Sequence, residues 1–340
     1  MVRVKCQSRT RGILGIDGVR LHWQHPAGTT GTDCKPKSFN PKSFNHSSSD
    51  FDTSSEGSVS DDGDICLLRD RFPTLTENEL SRFKTSFVGD NGSMDVVIQK
   101  LEEYSQFRDM YNLDAQKGAD INCTDAEDWE WASKVAVQAA KTCQQDLIPG
   151  LEGLAKFKDR ICKVETLPQL CFVHNNNDGT PALSKQGKPL IHYLPARLDL
   201  KKASGEIYAL AIVLYVERKA ERLDFVGKGA VLMADGRRGA GWPNHNALMV
   251  VSFLRILLTA LNNLHPGRIG SFVIYPVPYA CLYVFKMMKG WLPKAYADNV
   301  SLLNGGDGIK DPAPRKKLAL YVEEDIMDKM EETRLANFDK

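Results

Sequence analysis

Between residues 229 and 303, apolar runs of strand length alternate with apolar stretches of helix length. Gly229-Ala-Val-Leu-Met-Ala-Asp235 has the length of a strand and stops at the turn Asp235-Gly-Arg-Arg-Gly239. Residues 244–263 follow as a nearly all-apolar helix. After His265-Pro-Gly-Arg268 comes a second strand, Ser271-Phe-Val-Ile-Tyr275, then a helical stretch over 277–291 and a last short run at 300–303. Uninterrupted apolar strands separated by helices predict a mostly parallel sheet flanked by helices, an α/β fold. The glycine turn at 235–239 has neither dinucleotide nor P-loop spacing, which points away from nucleotides.

The remaining pattern divides the chain into four parts. Residues 1–64 read as a disordered tail: Pro36-Lys-Ser-Phe-Asn40 is repeated at once as Pro41-Lys-Ser-Phe-Asn45, and serines then acids fill 47–64. Such a composition buries too little apolar surface to offset chain entropy. Structure is expected from about Ile65. Residues 65–164 read as a small all-helical module with connecting helices. Thr76-Glu-Asn-Glu79 fits a capping box, and Ser93 precedes a helix with Met94, Val97, Ile98, Leu101, Tyr104 and Arg108 on one face. A helical region over 114–164 follows, with Trp129 and Trp131 before an alanine-rich run. Residues 165–310 form the sheet domain, with strands at 168–173 and 187–194 and a helix within 204–225. Residues 311–340 add a charged amphipathic helix, 318–335, placed on the outside.

Composition narrows the classes. A formal charge of +1 over 340 residues argues against nucleic acid as the main partner. Eight scattered cysteines without a C-x-x-C pair suit free thiols in a reducing compartment rather than disulfides or zinc. No stretch reaches the roughly 20 apolar residues of a spanning helix, and Met1-Val-Arg-Val-Lys-Cys6 lacks the apolar core of a secretion signal. A cytoplasmic protein is expected.

The sheet domain resembles the CRAL-TRIO lipid-binding family. The likeness rests on Val231-Leu-Met-Ala-Asp235, on His265-Pro-Gly-Arg268-Ile-Gly270 before Ser271-Phe-Val-Ile-Tyr275, on Pro276-Val-Pro278, and on Phe285-Lys-Met-Met-Lys-Gly-Trp-Leu292. Gly187-Lys-Pro is similar to the family's first strand, and Phe107-Arg108 resembles the end of the helical module that precedes it. The resemblance implies an internal apolar cavity for one lipid, with helix 279–292 as its gate. It implies lipid contacts from Tyr193, Met233, Phe253, Tyr275, Leu282, Phe285, Lys289 and Trp291. Lys289 matches the headgroup lysine of phosphatidylinositol-binding members. Ile256 stands where those members place a glutamate, and 89–93 has no basic residue, so phosphatidylinositol is not the expected ligand.

Residue chemistry agrees in part. Helix 279–292 is apolar almost all round, with Lys286 and Lys289 on one side, as suits a helix resting at a membrane interface. Helix 247–261 is polar only at Ser252, Arg255 and Thr259. No nucleophile elbow, metalloprotease motif or paired-cysteine site is present. Asp235 and His245 could begin a triad, though a turn acceptor and a helix-end histidine describe them as well. The expected protein is a monomeric carrier, not an enzyme. It takes a phospholipid or other hydrophobic lipid, touches membranes transiently, and uses no cofactor or metal. A protein-interaction scaffold on the same fold and an esterase-like hydrolase are the alternatives.

Overall fold

The computed structural model describes residues 15–16, 19–20, 61–88, 93–114, 123–142, 146–151, 161–222, 229–245, 247–277 and 297–338. The chain divides into two units, Met1–Glu56 and Gly57–Lys340. In the first, β1 (Gly15–Ile16) pairs antiparallel with β2 (Val19–Arg20). Most of the stretch expected to be disordered lies outside the described residues. Everything below concerns the second unit.

Helices come first, as the patterning predicts: α1 (Asp61–Arg71), α2 (Glu77–Val88), α3 (Met94–Met110) and α4 (Asp125–Thr142). The first begins four residues before the expected Ile65, and Asp64 lies 3.1 Å from Lys84 of α2. The capping box at α2 is formed: Thr76 N–H donates to Glu79 Oε2 at 2.8 Å, and Glu79 N–H to Thr76 Oγ1 at 3.3 Å. Thr124 and Glu127 build the same device before α4, a signal the sequence also carries. Ser93 stands at the N-cap of α3 without a side-chain cap bond. Of the helical region expected over 114–164, the described residues hold α4, whereas 146–151 is a turn and Cys162 makes an isolated bridge to Ala203 instead of helix.

The sheet has the order β3-β4-β5-β6-β7, with β3 (Cys171–Phe172) antiparallel to β4 (Leu190–Tyr193). Strands β4, β5 (Ala230–Asp235), β6 (Ile269–Val277) and β7 (Val300–Asn304) run parallel. Every residue of β4 and β5 is buried, as both-face coverage requires of a parallel sheet. Gly229 permits the start of β5: its φ is +59°, and a Cβ there would sit 2.6 Å from the Gly267 carbonyl oxygen.

Two crossover helices, α5 (Gly205–Arg222) and α6 (Ala247–Leu264), pack against each other and cover one face of the sheet. On α5, Ile207, Leu210 and Leu214 are fully buried, as are the residues between them, because α4 closes the helix from outside. Helix α3 packs on α6 in the same way. The helical module is thus a second layer over the crossover helices. The exposed side of α6 carries Ser252 and Arg255, the polar stripe read from the sequence.

The opposite face is covered by the C-terminal segment. The single helix expected over 318–335 is two: α7 (Arg315–Leu318) and α8 (Glu324–Ala336). A tighter turn joins them, Tyr321 N–H donating to Leu318 O at 2.8 Å. The apolar periodicity survives this break, and Leu318, Val322, Ile326 and Met330 all join the core beneath the sheet.

Candidate functional site

Strand alternation assigns each side chain of the sheet to one of the two covered faces. Ile191 and Tyr193 of β4, Leu232 and Ala234 of β5, Phe272 and Ile274 of β6 and Val300 of β7 share the core of α5 and α6. Leu190, Val231, Met233, Val273, Tyr275 and Leu303 share the core of α7 and α8. The lipid contacts expected from the sequence therefore separate. Tyr193 and Phe253 lie on the α5/α6 face, whereas Met233 and Tyr275 point to the C-terminal helices, where Tyr275 lines a cavity of about 160 Å³ with Leu318, Met327 and Met330. Met233 and Tyr275 thus lie on the other face of the sheet from Phe253, because they alternate with Leu232, Ala234 and Ile274, which share the core of Phe253. Leu282, Phe285, Lys289 and Trp291, with the whole 279–292 gate stretch, lie outside the described residues.

The α5/α6 face is not uniformly sealed. Its β4 and β5 side chains are buried, but Leu254 of α6, Ile274 of β6 and Val300 of β7 are only partly buried. These three residues sit at the β6–β7 side. Sequence reasoning missed them, although the two-residue period from Phe272 would have marked Ile274. Tyr193 adds a polar feature: its hydroxyl is buried with no hydrogen-bond partner among the described residues, and burial raises its pKa.

Behind this face lies a buried charge network that joins the helical module to the sheet domain. Tyr104 and Arg108 of α3 both reach Glu79 of α2, at 2.9 and 2.8 Å, and Glu217 of α5, at 3.0 and 3.4 Å. Arg108 also bonds Asp114. His265 Nδ1 lies 3.2 Å and Arg268 Nη2 3.7 Å from the second oxygen of Glu217. Burial alone would raise the Glu217 pKa, but Arg268, His265, Arg108 and Arg82 outweigh it and hold the carboxylate at about 2. Arg108, read from the sequence as the helix-end residue of the module, links α3 to α2 and to α5; α4 is tied to α5 separately by Arg218 and Lys219, which lie 2.6 and 2.7 Å from Asp128. Glu217, the α5 partner of Arg108, carried no sequence signal, being 109 residues away.

The Asp235–His245 pair is not assembled. Asp235 is fully buried and faces Arg237, whose Nε lies 3.0 Å from Oδ1 and Nη2 2.5 Å from Oδ2, with the Arg237 N–H bonded to Oδ1 at 3.1 Å. His245 Nε2 accepts instead from Leu200 N–H at 3.3 Å. Arg237 continues to Glu331 of α8 at 2.5 Å, and Arg334 donates to Arg238 O at 3.2 Å. The turn 235–239 thus clamps the C-terminal helix. Trp242 reinforces this by donating to Asn337 O at 2.6 Å and meeting Phe338 edge-on at 5.4 Å.

Three buried histidines give the fold an acid limit. His174 Nε2 and His192 Nδ1 are 3.2 Å apart. Burial lowers the pKa of His174 to about 4, opposed by Asp125 and aided by Lys329. It also lowers that of His192, helped by His174, Arg237 and Arg334. Burial brings His265 to about 4 as well, despite Glu217. A histidine kept neutral by folding contributes stability that is complete above its ordinary pKa near 6.5 and is lost as pH falls toward 4. The urea midpoint should therefore fall between pH 7 and pH 4. Part of that fall should be absent in His265→Gln; an unchanged slope would exclude His265 as a source.

Among the described residues no helix is long and apolar enough to cross a membrane, and no group of three or more potential ligands could hold a metal ion. Comparison with known proteins places the sheet. No curated protein matches the chain. The solved structure titled "Crystal structure of Sfh5" is similar over 68% of this chain and 65% of that one, with 10% identity and a TM-score of 0.39; the match thus spans just under two thirds of that protein's length. Residues 180–330, from the hairpin before β4 to the middle of α8, match the family model of the CRAL/TRIO domain.

Proposed function

We propose that the chain holds one hydrophobic lipid against the α5/α6 face of its sheet and exchanges it at membrane surfaces. The observation that carries this reading is the partly open apolar row Leu254, Ile274 and Val300 on that face. Topology supports it. From β4 to β7 each strand is added on the same side of the last, and parallel crossovers are right-handed. Successive connections then belong on one face, where the described crossovers α5 and α6 lie. On this reading Ile274 and Phe272 replace Tyr275, and Leu232 and Ala234 replace Met233, as strand contacts. Tyr193 and Phe253 remain, the Tyr193 hydroxyl being able to donate to a ligand oxygen. Leu282, Phe285 and Trp291 would complete the lining, and Lys286 and Lys289 would hold the helix near anionic headgroups.

The process would be exchange without bond chemistry. Each buried methylene gains about 0.8 kcal/mol over water, and a similar amount is lost on leaving a bilayer, so the net transfer energy is small and opening sets the rate.

Mass spectrometry of an organic extract of the purified protein tests the reading. One lipid per chain is expected, and Ile274→Trp or Leu254→Trp should empty the protein while its far-ultraviolet dichroism is unchanged. A lipid-free wild type, or lipid content indifferent to both variants, would exclude the site. Lys286→Glu with Lys289→Glu should separately weaken binding to anionic vesicles by about 1 kcal/mol per charge.

A further inference from the structure

The back of the sheet holds a cavity that lipid exchange on the α5/α6 face does not use. It measures about 160 Å³ and lies between β6 and the C-terminal helices, against the buried side chains of Tyr275, Leu318, Met327 and Met330. Arg237, Arg315 and Glu331 complete its wall. An apolar cavity of roughly 150 Å³ takes a benzene ring, whereas sites for larger ligands run to roughly 300–1,000 Å³. The volume therefore suits one small ring and is too small for a lipid. Strand alternation keeps it apart from the other face, since Tyr275 joins the core of α7 and α8 while Ile274 joins that of α5 and α6.

One polar group in this wall is left over. Tyr275 is 1% exposed, and its hydroxyl makes no hydrogen bond among the described residues. A buried hydroxyl without a partner destabilises the fold, and a ligand oxygen would satisfy it. Burial, with Asp235 nearby, raises its pKa, so it keeps its proton and can donate. The charged members of the wall are by contrast satisfied within the chain. Arg237 lies 2.5 Å from both Asp235 and Glu331, Arg315 lies 2.6 Å from Asp328, and Glu331 lies 2.8 Å from Arg334. A charged ligand would have to displace one of these pairs; an uncharged one leaves them intact.

We propose that this cavity is a second ligand site, separate from the lipid face, which takes one small uncharged ring bearing a hydrogen-bonding oxygen, such as a phenol, set against the Tyr275 hydroxyl. Its occupant touches β6, the segment leading into α7, and α8 together. Binding is therefore linked to the seating of α8, because a ligand held only while α8 is docked opposes its release in proportion to saturation.

Titration of the full chain with phenol and with toluene, which match in shape apart from the hydroxyl, tests this by nuclear magnetic resonance. Both should bind. Tyr275→Phe should lower the affinity for phenol about fivefold and leave that for toluene unchanged. Ala313→Leu fills the cavity from a partly buried position of its wall and should weaken both about tenfold or more. Ile274→Trp, on the opposite face, should change neither. Phenol at ten times its dissociation constant should slow hydrogen exchange in 324–336 about tenfold. No binding of either probe up to its solubility limit overturns the proposal, the cavity then being a place for water alone. So does indifference of phenol to Tyr275→Phe, or of both probes to Ala313→Leu. Loss of both probes in Ile274→Trp would put them on the lipid face and overturn it as well, without bearing on lipid exchange.

Discussion

Replacing Glu217 by glutamine should lower the unfolding free energy by about 3–5 kcal/mol, the usual cost of removing one partner from a buried ion pair. Glu217 is 4% exposed and serves Tyr104, Arg108, His265 and Arg268 together. Glutamine keeps the shape but leaves the guanidinium of Arg108, 2% exposed, with Glu79 and Asp114 as its carboxylate partners. The loss should therefore appear as separation of layers, with α2 and α3 becoming protease-sensitive before the sheet does. Acid titration gives a second reading. A carboxylate held at about 2 stabilises the fold fully above its ordinary value near 4.5, and that share disappears as pH falls to 2. In Glu217→Gln the share is absent at every pH, so wild type and variant should converge below pH 2. A change under about 1 kcal/mol at pH 7 would mean that apolar packing, with the Arg218–Asp128 and Lys219–Asp125 pairs between α4 and α5, joins the module to the domain without Glu217.

Arg237→Met should release the C-terminal helix. The guanidinium stands between Asp235, at the end of β5, and Glu331 on α8, and without it the buried Asp235 loses its hydrogen-bonded cation and keeps only the more distant charge of Arg334. Burial already raises the Asp235 pKa, against the lowering by Arg237 and Arg334. The carboxylate should then take up a proton or the fold should lose about 3–5 kcal/mol. Hydrogen exchange of the amides in 324–336 should accelerate, while those of α5 stay protected. Asp235→Asn with Arg237→Met should recover part of the loss, because neither buried charge remains. Unchanged protection of α8 in Arg237→Met would assign its attachment to Ile326, Met327 and Met330 with the Arg334 and Trp242 hydrogen bonds.

The sequence by itself determined the order and kind of the elements. Apolar runs at 229–235, 271–275 and 300–303 became β5, β6 and β7, and the apolar stretch at 244–263 became α6. These are local properties: a strand buried on both faces must be apolar throughout, and a capping box such as Thr76 with Glu79 is complete within four residues. The domain family was legible for the same reason, through motifs at fixed spacing around His265-Pro-Gly-Arg268.

Tertiary structure decided which face each strand residue serves. Alternation groups Met233 with Tyr275 and Leu232 with Phe272, but a strand covered on both sides gives no polar signal to say which group meets α5 and α6. It also decided that residues 318–335 break into two helices and seal the back of the sheet, since amphipathicity shows that a face is covered without naming its cover. The meeting of Arg108 with Glu217, and of Arg237 with Glu331, lay equally beyond the sequence. Long-range charge pairs leave no local periodicity, and only the packed chain brings such residues within hydrogen-bond distance.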